Sequence, residues 1–465
     1  MSRLVTITVD GKPIEAEEGA LLLPVLLKHG FEIPYYCYHE ALGPDGNCRM
    51  CMVEIEGKKR PQISCDTFVE EGLVVRTRGE SIEAVRRGIL ELQLVNHPVD
   101  CPVCDQAGEC SLQDFYMKFG RYHGKVDKAQ KAHFKKHYDL GRNVVLDQER
   151  CVLCRRCVRF VDDITKTHEL AVIHRADHSV IDTLPGRKLT NDYAMNVVDL
   201  CPVGALTSKD FRFHQRVWFM TASPSICHGC AKGCNIYIDH AKSKWEDDTI
   251  YRFRPRKNLE INGHFICDEG RLSYKALQTN RLKEPRLSNE RIGVEEALRT
   301  FKAWLREADT VFLAASGDLY TEELEFLKFF ADETGARLWV PLAAYMDEDF
   351  GDDWLKNPMR AANAKGVEAL GVATEAPEGE ADLLLSVGEP PPEGIRAKRH
   401  VALRIHEGGD ADLALPCAAW CETGGSLTNV DGIVQRCEKV LDPEAPVPSV
   451  VEWFEALDLL AKVDA

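Results

Sequence analysis

One run constrains this chain more than any other. It is His97-Pro98-Val99-Asp100-Cys101-Pro102-Val103-Cys104, continued through Gln106-Ala107-Gly108-Glu109 to Cys110. It sets one imidazole and three thiols close together in sequence. Similar sets flank it. Cys37, Cys48, Cys51 and Cys65 come before. Cys151, Cys154 and Cys157 with Cys201, then Cys227, Cys230 and Cys234 with Cys267, come after. Of the eighteen cysteines, only Cys417, Cys421 and Cys437 fall outside these sets. The result is four groups of four candidate ligands. Iron–sulfur clusters are held four ligands at a time, mostly by thiolates. The spacing therefore predicts a scaffold, over roughly the first 270 residues, for a row of metal clusters.

Charge and hydropathy exclude several classes. The chain has 58 basic and 74 acidic residues, a net charge of −16. That disfavours a nucleic-acid binder, which needs a basic footprint, and suits a chain that docks on protein partners. No run of about 18 apolar residues is present, so no direct membrane span is expected. The longest early apolar run, Ala20 to Leu27, contains Pro24 and lacks the basic flank and cleavage site of a secretory signal. Many cysteines without a signal point to a reducing compartment, where thiols bind metal or stay free.

The chain divides into five segments. Residues 1–78 begin with an alternating strand, Leu4 to Val9, and the hairpin turn Asp10-Gly11. A second strand follows, then a helix over about Ala20–Lys28 capped by Gly30, then strands Met52–Ile55 and Leu73–Arg76 with Cys65 between them. This is the layout of a β-grasp ferredoxin. The plant-type spacing is C-x4-C-x2-C with a distant fourth cysteine. Here ten residues separate Cys37 from Cys48, among them Gly43, Asp45, Gly46 and Asn47, which suit close wrapping of the backbone. A zinc site is the competing reading.

Residues 79–142 open with an amphipathic helix over 80–96, capped by Ser81, in which Ile82, Val85, Ile89, Leu92 and Val95 recur at helical spacing. His97 at its end could simply face the terminal carbonyls. The three thiols that follow, with no fourth nearby, make it the missing ligand. A neutral imidazole in place of a thiolate would make that cluster less negative, and charge is one determinant of potential. Residues 118–142, rich in lysine and histidine, form a solvated connector or a docking face for an acidic partner.

Residues 143–219 carry Cys151-x2-Cys154-x2-Cys157 and the pair Cys201-Pro202. A bacterial two-cluster ferredoxin repeats C-x2-C-x2-C-x3-C-P, and the fourth cysteine of each run serves the other cluster. Counting back from Cys201 lands on Val197, Ala194 and Asn191, and counting forward from Cys157 lands on Val161. The frame is thus that of a two-cluster ferredoxin with one cluster lost. Arg155, Arg156 and Arg159 could offset cluster charge or lie on the surface.

Residues 220–276 hold Cys227-x2-Cys230-x3-Cys234 and, thirty-two residues later, Cys267, with strands expected at Asn235–Asp239 and Thr249–Arg254. Residues 277–465 alternate strands (Thr310–Ala315, Arg337–Val340, Asp382–Val387, His400–Ile405) with helices such as Thr321–Glu333. This pattern predicts an α/β layer with a parallel sheet. Cys417, Cys421 and Cys437 are expected as small buried residues. No G-x-G-x-x-G follows a strand and no Walker loop occurs. A chain of one-electron carriers implies a partner holding a flavin or another two-electron cofactor.

The strings IPYYCYHEALGPDGNCRMCMVEI, NHPVDCPVCDQAGECSLQD, RCVLCRRCVRF, DLCPVGALTSK and HFICDEGR resemble those of the iron–sulfur G-subunit family of NADH:quinone oxidoreductase, respiratory complex I. The likeness runs from residue 1 to about residue 275. It implies one 2Fe-2S cluster on Cys37, Cys48, Cys51 and Cys65. It implies three 4Fe-4S clusters, on His97, Cys101, Cys104 and Cys110, on Cys151, Cys154, Cys157 and Cys201, and on Cys227, Cys230, Cys234 and Cys267. The last is present only in some family members and lies off the main electron path. The segment GGSLTNVDGIVQR, Gly424–Arg436, resembles part of the molybdopterin oxidoreductase fold. The resemblance implies a shortened version of that domain without a pterin site. The expected fold class is therefore α+β and α/β multidomain. It comprises a β-grasp 2Fe-2S ferredoxin (1–78), a 4Fe-4S module with one histidine and three cysteine ligands and a basic connector (79–142), and a 4Fe-4S ferredoxin-like module (143–219). A 4Fe-4S module of the Mo/W-oxidoreductase type (220–276) and a truncated α/β domain (277–465) complete it. The resemblance also implies an electron carrier in the peripheral arm on the cytoplasmic face of the inner membrane. Its partners there would be the FMN- and NADH-binding subunit and the iron–sulfur subunit leading to quinone. An NAD-linked hydrogenase or formate dehydrogenase subunit and a structural zinc protein are the alternatives.

Overall fold

The computed structural model describes residues 3–121, 124–242, 248–388, 394–442 and 446–463. The chain forms two units, residues 1–219 and 220–465. Among the described residues no helix is long and apolar enough to cross a membrane.

The first unit opens with the hairpin of strands Leu4–Val9 and Lys12–Glu17. Asp10 and Gly11 both have positive φ (48° and 80°), as a two-residue hairpin turn requires. Helix Leu22–Lys28 buries Leu22, Leu23 and Leu26 against the sheet, with Gly30 left-handed just beyond its end. Pro24 is its third residue, where the missing amide would have had no partner within the helix. Strand Val74–Arg76 runs parallel to the first strand and antiparallel to Met52–Ile55. The resulting mixed five-stranded sheet, with its helix and long cysteine loop, matches the β-grasp expectation.

Helix Glu80–Asn96 forms as its periodicity predicts, with two corrections. Gly79, not Ser81, stands at the N-cap. The buried stripe is Ile82, Arg86 and Leu90, whereas Leu92 is 74% and Val95 37% exposed. Arg86 occupies a core position because its guanidinium donates to the Met52 carbonyl at 3.1 Å and lies over the Phe119 ring.

In the ferredoxin-like segment, strands Val144–Leu146 and Leu206–Ser208 pair antiparallel and bring the two ends of the segment together. Val161, Ala194 and Val197 are buried, and Asn191 donates to Glu169. Three of the four positions that would serve a second cluster are thus filled by apolar packing.

The second unit begins with an antiparallel sheet of strands Thr221–Ile226, Asn235–Lys242 and Asp248–Pro255. Beyond it lies a seven-stranded sheet. Its five strands Leu413–Pro416, Arg396–Arg404, Glu380–Val387, Val311–Ala315 and Arg337–Trp339 are parallel in that spatial order, with a short antiparallel hairpin at one edge. Helices Val294–Glu307, Thr321–Thr334 and Val450–Val463 pack their apolar sides on this sheet. Cys417, Cys421 and Cys437 are buried, as expected of small core residues.

Candidate iron–sulfur ligand sites

The binuclear candidate is built by the loop between helix Leu22–Lys28 and strand Met52–Ile55, with the short 3-10 turn Ser64–Asp66 returning the fourth thiol. Cys37 and Cys48 lie 3.4 Å apart, sulfur to sulfur. Hydrogen bonds from Cys48 and Cys65 hold the Cys37 thiol low, while theirs are pushed up. Ser64 donates its amide and hydroxyl to the Cys51 carbonyl at 3.0 and 2.8 Å, fixing Cys65 opposite Cys51.

The His97 group occupies the loop between helices Glu80–Asn96 and Ser111–Phe119. Val99 has φ +52°, costly for a β-branched residue, and its amide donates to His97 Nδ1 at 3.1 Å. Burial pushes His97 down to about 4, which keeps the imidazole neutral, the form a metal ligand needs. Burial raises Cys104, and raises Cys110 to about 11. Gly204 lies so close to Cys104 Sγ that a methyl group there would collide with the sulfur.

Two anchors hold this loop from outside it. Buried Arg150 makes a paired contact with Asp100 at 3.0 and 2.7 Å. Lys131 donates to the carbonyls of Leu94 and His97 at 2.8 and 2.5 Å. The stretch 118–142 is mostly exposed, as the solvated reading expects. Lys118, Arg121, Lys125, Lys131, Lys135 and Lys136 in addition make ion pairs or hydrogen bonds within the unit. Residues 122 and 123 of that stretch lie outside the described residues.

Cys151, Cys154, Cys157 and Cys201 line one pocket with Leu146, Ile181 and Leu206. Leu153 and Arg155 have φ +51° and +64°, and Leu153 donates its amide to Cys151 Sγ at 3.4 Å. Alternating backbone of this kind turns successive N–H groups toward an anion. Burial raises all four thiols, Cys154 to about 12. Of the interleaved arginines, Arg155 lies at the surface and the other two do not. Arg156 and Arg159 are buried. Arg156 donates to the carbonyls of Tyr38 at 2.5 Å and Leu200 at 3.2 Å. Arg159 donates to those of Cys37 at 3.1 Å, Gly43 at 3.0 Å and Leu42. Arg155 pairs with Asp45, and Asn47 donates to the Leu153 carbonyl.

In the second unit Cys227, Cys230, Cys234 and Cys267 are all buried. Gly229 donates to Cys227 Sγ at 3.4 Å and Gly270 to Cys267 Sγ at 3.2 Å. A Cβ on Gly270 would lie 3.1 Å from Cys227 Sγ and 3.2 Å from Cys267 Sγ. The cysteine loop is gripped by the hairpin of strands Gly425–Thr428 and Val434–Cys437. Val430 donates to Ala231 O at 2.7 Å and Gln435 to Gly233 O at 2.9 Å. Arg360 reaches Gly229 O at 2.8 Å.

These environments suit an iron–sulfur cluster. Buried thiols that also repel one another as thiolates stay deprotonated only beside metal charge. Amide groups aimed at the sulfurs favour the thiolate form. Among the described residues no three histidine, cysteine, aspartate or glutamate side chains are set around a single metal ion. Gly270→Ala is expected to crowd the two sulfurs. About four irons should then be lost from the chain, measured by iron analysis, while the electron paramagnetic resonance signals of the other groups stay unchanged.

Arg156 and Arg159 stand out in the sequence as possible charge partners of the Cys151 group, but not as carbonyl clamps, and the Asp100–Arg150 pair and Gly204 are not singled out there. A local signal existed for some of them: Asp100, Arg150 and Arg156 each immediately precede a candidate ligand cysteine.

Known proteins share this layout. Residues 2–80 match the family described as 2Fe-2S iron-sulfur cluster binding domain. Residues 86–125 match the NADH-ubiquinone oxidoreductase-G iron-sulfur binding region. Residues 141–207 match the NADH-quinone oxidoreductase subunit 3, ferredoxin-like domain. Among curated proteins, the NADH-quinone oxidoreductase G subunit of Rickettsia bellii is 39% identical over 282 residues, 61% of this chain and 40% of that protein. The G subunit of Streptomyces coelicolor is 37% identical over 297 residues, 63% of this chain and 34% of that protein. The mitochondrial NADH-ubiquinone oxidoreductase 78 kDa subunit of Neurospora crassa is 39% identical over 286 residues, 62% of this chain and 38% of that protein. The match thus spans less than half the length of these relatives. By its matches to three iron–sulfur family models and to these relatives, the chain is similar to the G subunit of NADH-quinone oxidoreductase.

Proposed function

We propose that this chain is an electron-relay subunit of an NADH:quinone oxidoreductase. In this reading a 2Fe-2S cluster sits on Cys37, Cys48, Cys51 and Cys65. 4Fe-4S clusters sit on the His97, Cys151 and Cys227 groups. Iron–sulfur clusters, when bound, supply one-electron transfer. The chain's residues fix where each cluster sits, exclude water from it and set its electrostatic surroundings. An FMN- and NADH-binding subunit would feed the chain, and a further iron–sulfur subunit would carry electrons toward quinone. The complex would be peripheral to the cytoplasmic face of the inner membrane. The α/β domain acts as a brace, its hairpin gripping the Cys230–Cys234 loop.

The observation that carries this reading is the interlocking of three ligand groups in the first unit. The Cys151 group stands between the other two. After burial, the Cys37 thiolate is among the charges that raise Cys154, and the Cys201 thiolate among those that raise Cys110. Ser111 donates to the Pro202 carbonyl at 2.9 Å. The spatial order therefore differs from the order in sequence, with the Cys151 group in the middle of the relay. His97→Ala tests it. One tetranuclear signal should be lost or altered in electron paramagnetic resonance, and NADH-to-quinone electron flow in the assembled complex should fall sharply. An unaltered signal with full electron flow would remove His97 from the relay.

A further inference from the structure

Tyr36 is the residue of the first unit that the ligand assignment leaves unexplained. It stands beside Cys37, is fully buried, and its hydroxyl meets no hydrogen-bond partner among the described residues. A buried phenol ordinarily finds one, since leaving the group unpaired costs about 1–3 kcal/mol. Its main chain belongs to the binuclear site, where the Tyr36 amide donates to Cys48 Sγ at 3.4 Å. Its ring leaves that site. The ring meets Phe115 edge-on, with centroids 5.2 Å apart. Phe115 lies on helix Ser111–Phe119, which begins directly after Cys110.

We propose that the Tyr36 hydroxyl donates a hydrogen bond to a sulfur of the cluster held by the His97 group, on its Cys110 side, and that it sets the reduction potential there. Three features support this direction. The hydroxyl is buried and has no acceptor among the described protein atoms, so the acceptor it lacks is one that a bound cluster would bring. The edge-on contact with Phe115 carries the ring toward the helix that follows Cys110. A phenol hydroxyl can donate, and a cluster sulfur can only accept, so the hydroxyl is the donor of the pair. Hydrogen bonds to the sulfurs are among the factors that set a cluster's potential, because they stabilise the more negative, reduced state. One residue then serves two ligand groups. Its amide serves Cys48 and its hydroxyl the Cys110 side of the next cluster, so the chain tunes the His97 group from within the wall of the binuclear site. Tyr36 is a positioning residue in this scheme and undergoes no oxidation.

This inference rests on the relay reading, and the test separates the two. Iron and sulfide analysis of the wild-type complex comes first, and zinc with little sulfide there would defeat the relay reading itself. The test proper is Tyr36→Phe in the full chain within its complex, which removes the hydroxyl and keeps the ring. Potentiometric titration followed by electron paramagnetic resonance should show that the tetranuclear signal lost in His97→Ala is harder to reduce. Its reduced-to-oxidised ratio at fixed potential should fall about tenfold, equivalent to about 59 mV for one electron. The other signals and the iron content should be unchanged. In heavy water, electron–nuclear double resonance of that signal should contain an exchangeable deuteron coupling that Tyr36→Phe abolishes. An unchanged midpoint, or a shift confined to the binuclear signal or the Cys151-group signal, overturns the proposal. So does a set of deuteron couplings identical in the variant and the wild type.

Discussion

Cys154→Ala is expected to remove about four irons, abolish electron flow through the chain and unfold much of the first unit at temperatures where the wild type is stable. In the proposed relay Cys154 is a ligand of the Cys151 group, whose segment touches those of both other groups in the first unit. Because cluster ligation is coupled to folding, losing a ligand removes stabilisation as well as a redox centre. The vacated pocket would leave Cys151, Cys157 and Cys201 buried, mutually repelling as thiolates and without compensating metal. Arg156 and Arg159, whose carbonyl contacts depend on the same turn, would lose their register. The checks are iron content, the melting temperature of the reconstituted chain and electron flow in the complex. Retention of all irons with a wild-type melt would place the ligand elsewhere.

Arg159→Met has the second largest expected effect, and it acts without touching a ligand sulfur. The guanidinium is the only side-chain donor to the carbonyls of Cys37, Leu42 and Gly43 among the described contacts. These carbonyls turn the loop that carries Cys37 toward Cys48. Methionine keeps most of the volume but leaves the Cys37 and Leu42 carbonyls without this donor, the Gly43 carbonyl keeping the His39 amide. Each buried unmet group costs about 1–3 kcal/mol, and partial relaxation should bring the total to about 2–4 kcal/mol. For a unit of this size that corresponds to a fall of about 5–15 °C in melting temperature. Lysine should rescue less than half, because a single ammonium cannot reproduce the fork. The binuclear signal should broaden before the others do. A variant melting within about a degree of wild type would mean that the loop holds its shape unaided.

The candidate ligand groups were legible in the sequence because cluster binding is largely a local problem. Cys151, Cys154 and Cys157 follow one another closely, and they line one pocket with Cys201. The burial of Val161, Ala194 and Val197 was open to the same reading, because these residues stand at fixed offsets from the cysteines. The hairpin at Asp10-Gly11 and the alternation of strand and helix after residue 277 were equally local. What could not be read was long-range. Arg159 and Cys37 are far apart in the chain, and nothing in either neighbourhood announces the other. Periodicity marked helix Glu80–Asn96 as amphipathic but not which stripe is covered. Arg86 took the buried place through a carbonyl and an aromatic ring supplied from elsewhere, leaving Leu92 outside. The basic connector is exposed as its composition suggests, but composition records charge and not its partners. Glu91, Asp100, Asp147 and Glu149 supply those partners.

If sixteen ligands hold one binuclear and three tetranuclear clusters, the metal content of the chain is fixed. Iron and acid-labile sulfide per chain, measured on anaerobically prepared protein alongside electron paramagnetic resonance during stepwise reduction, test this most directly. The expected result is about fourteen irons, matching sulfide, one binuclear signal and several tetranuclear signals. Zinc with little sulfide would contradict it.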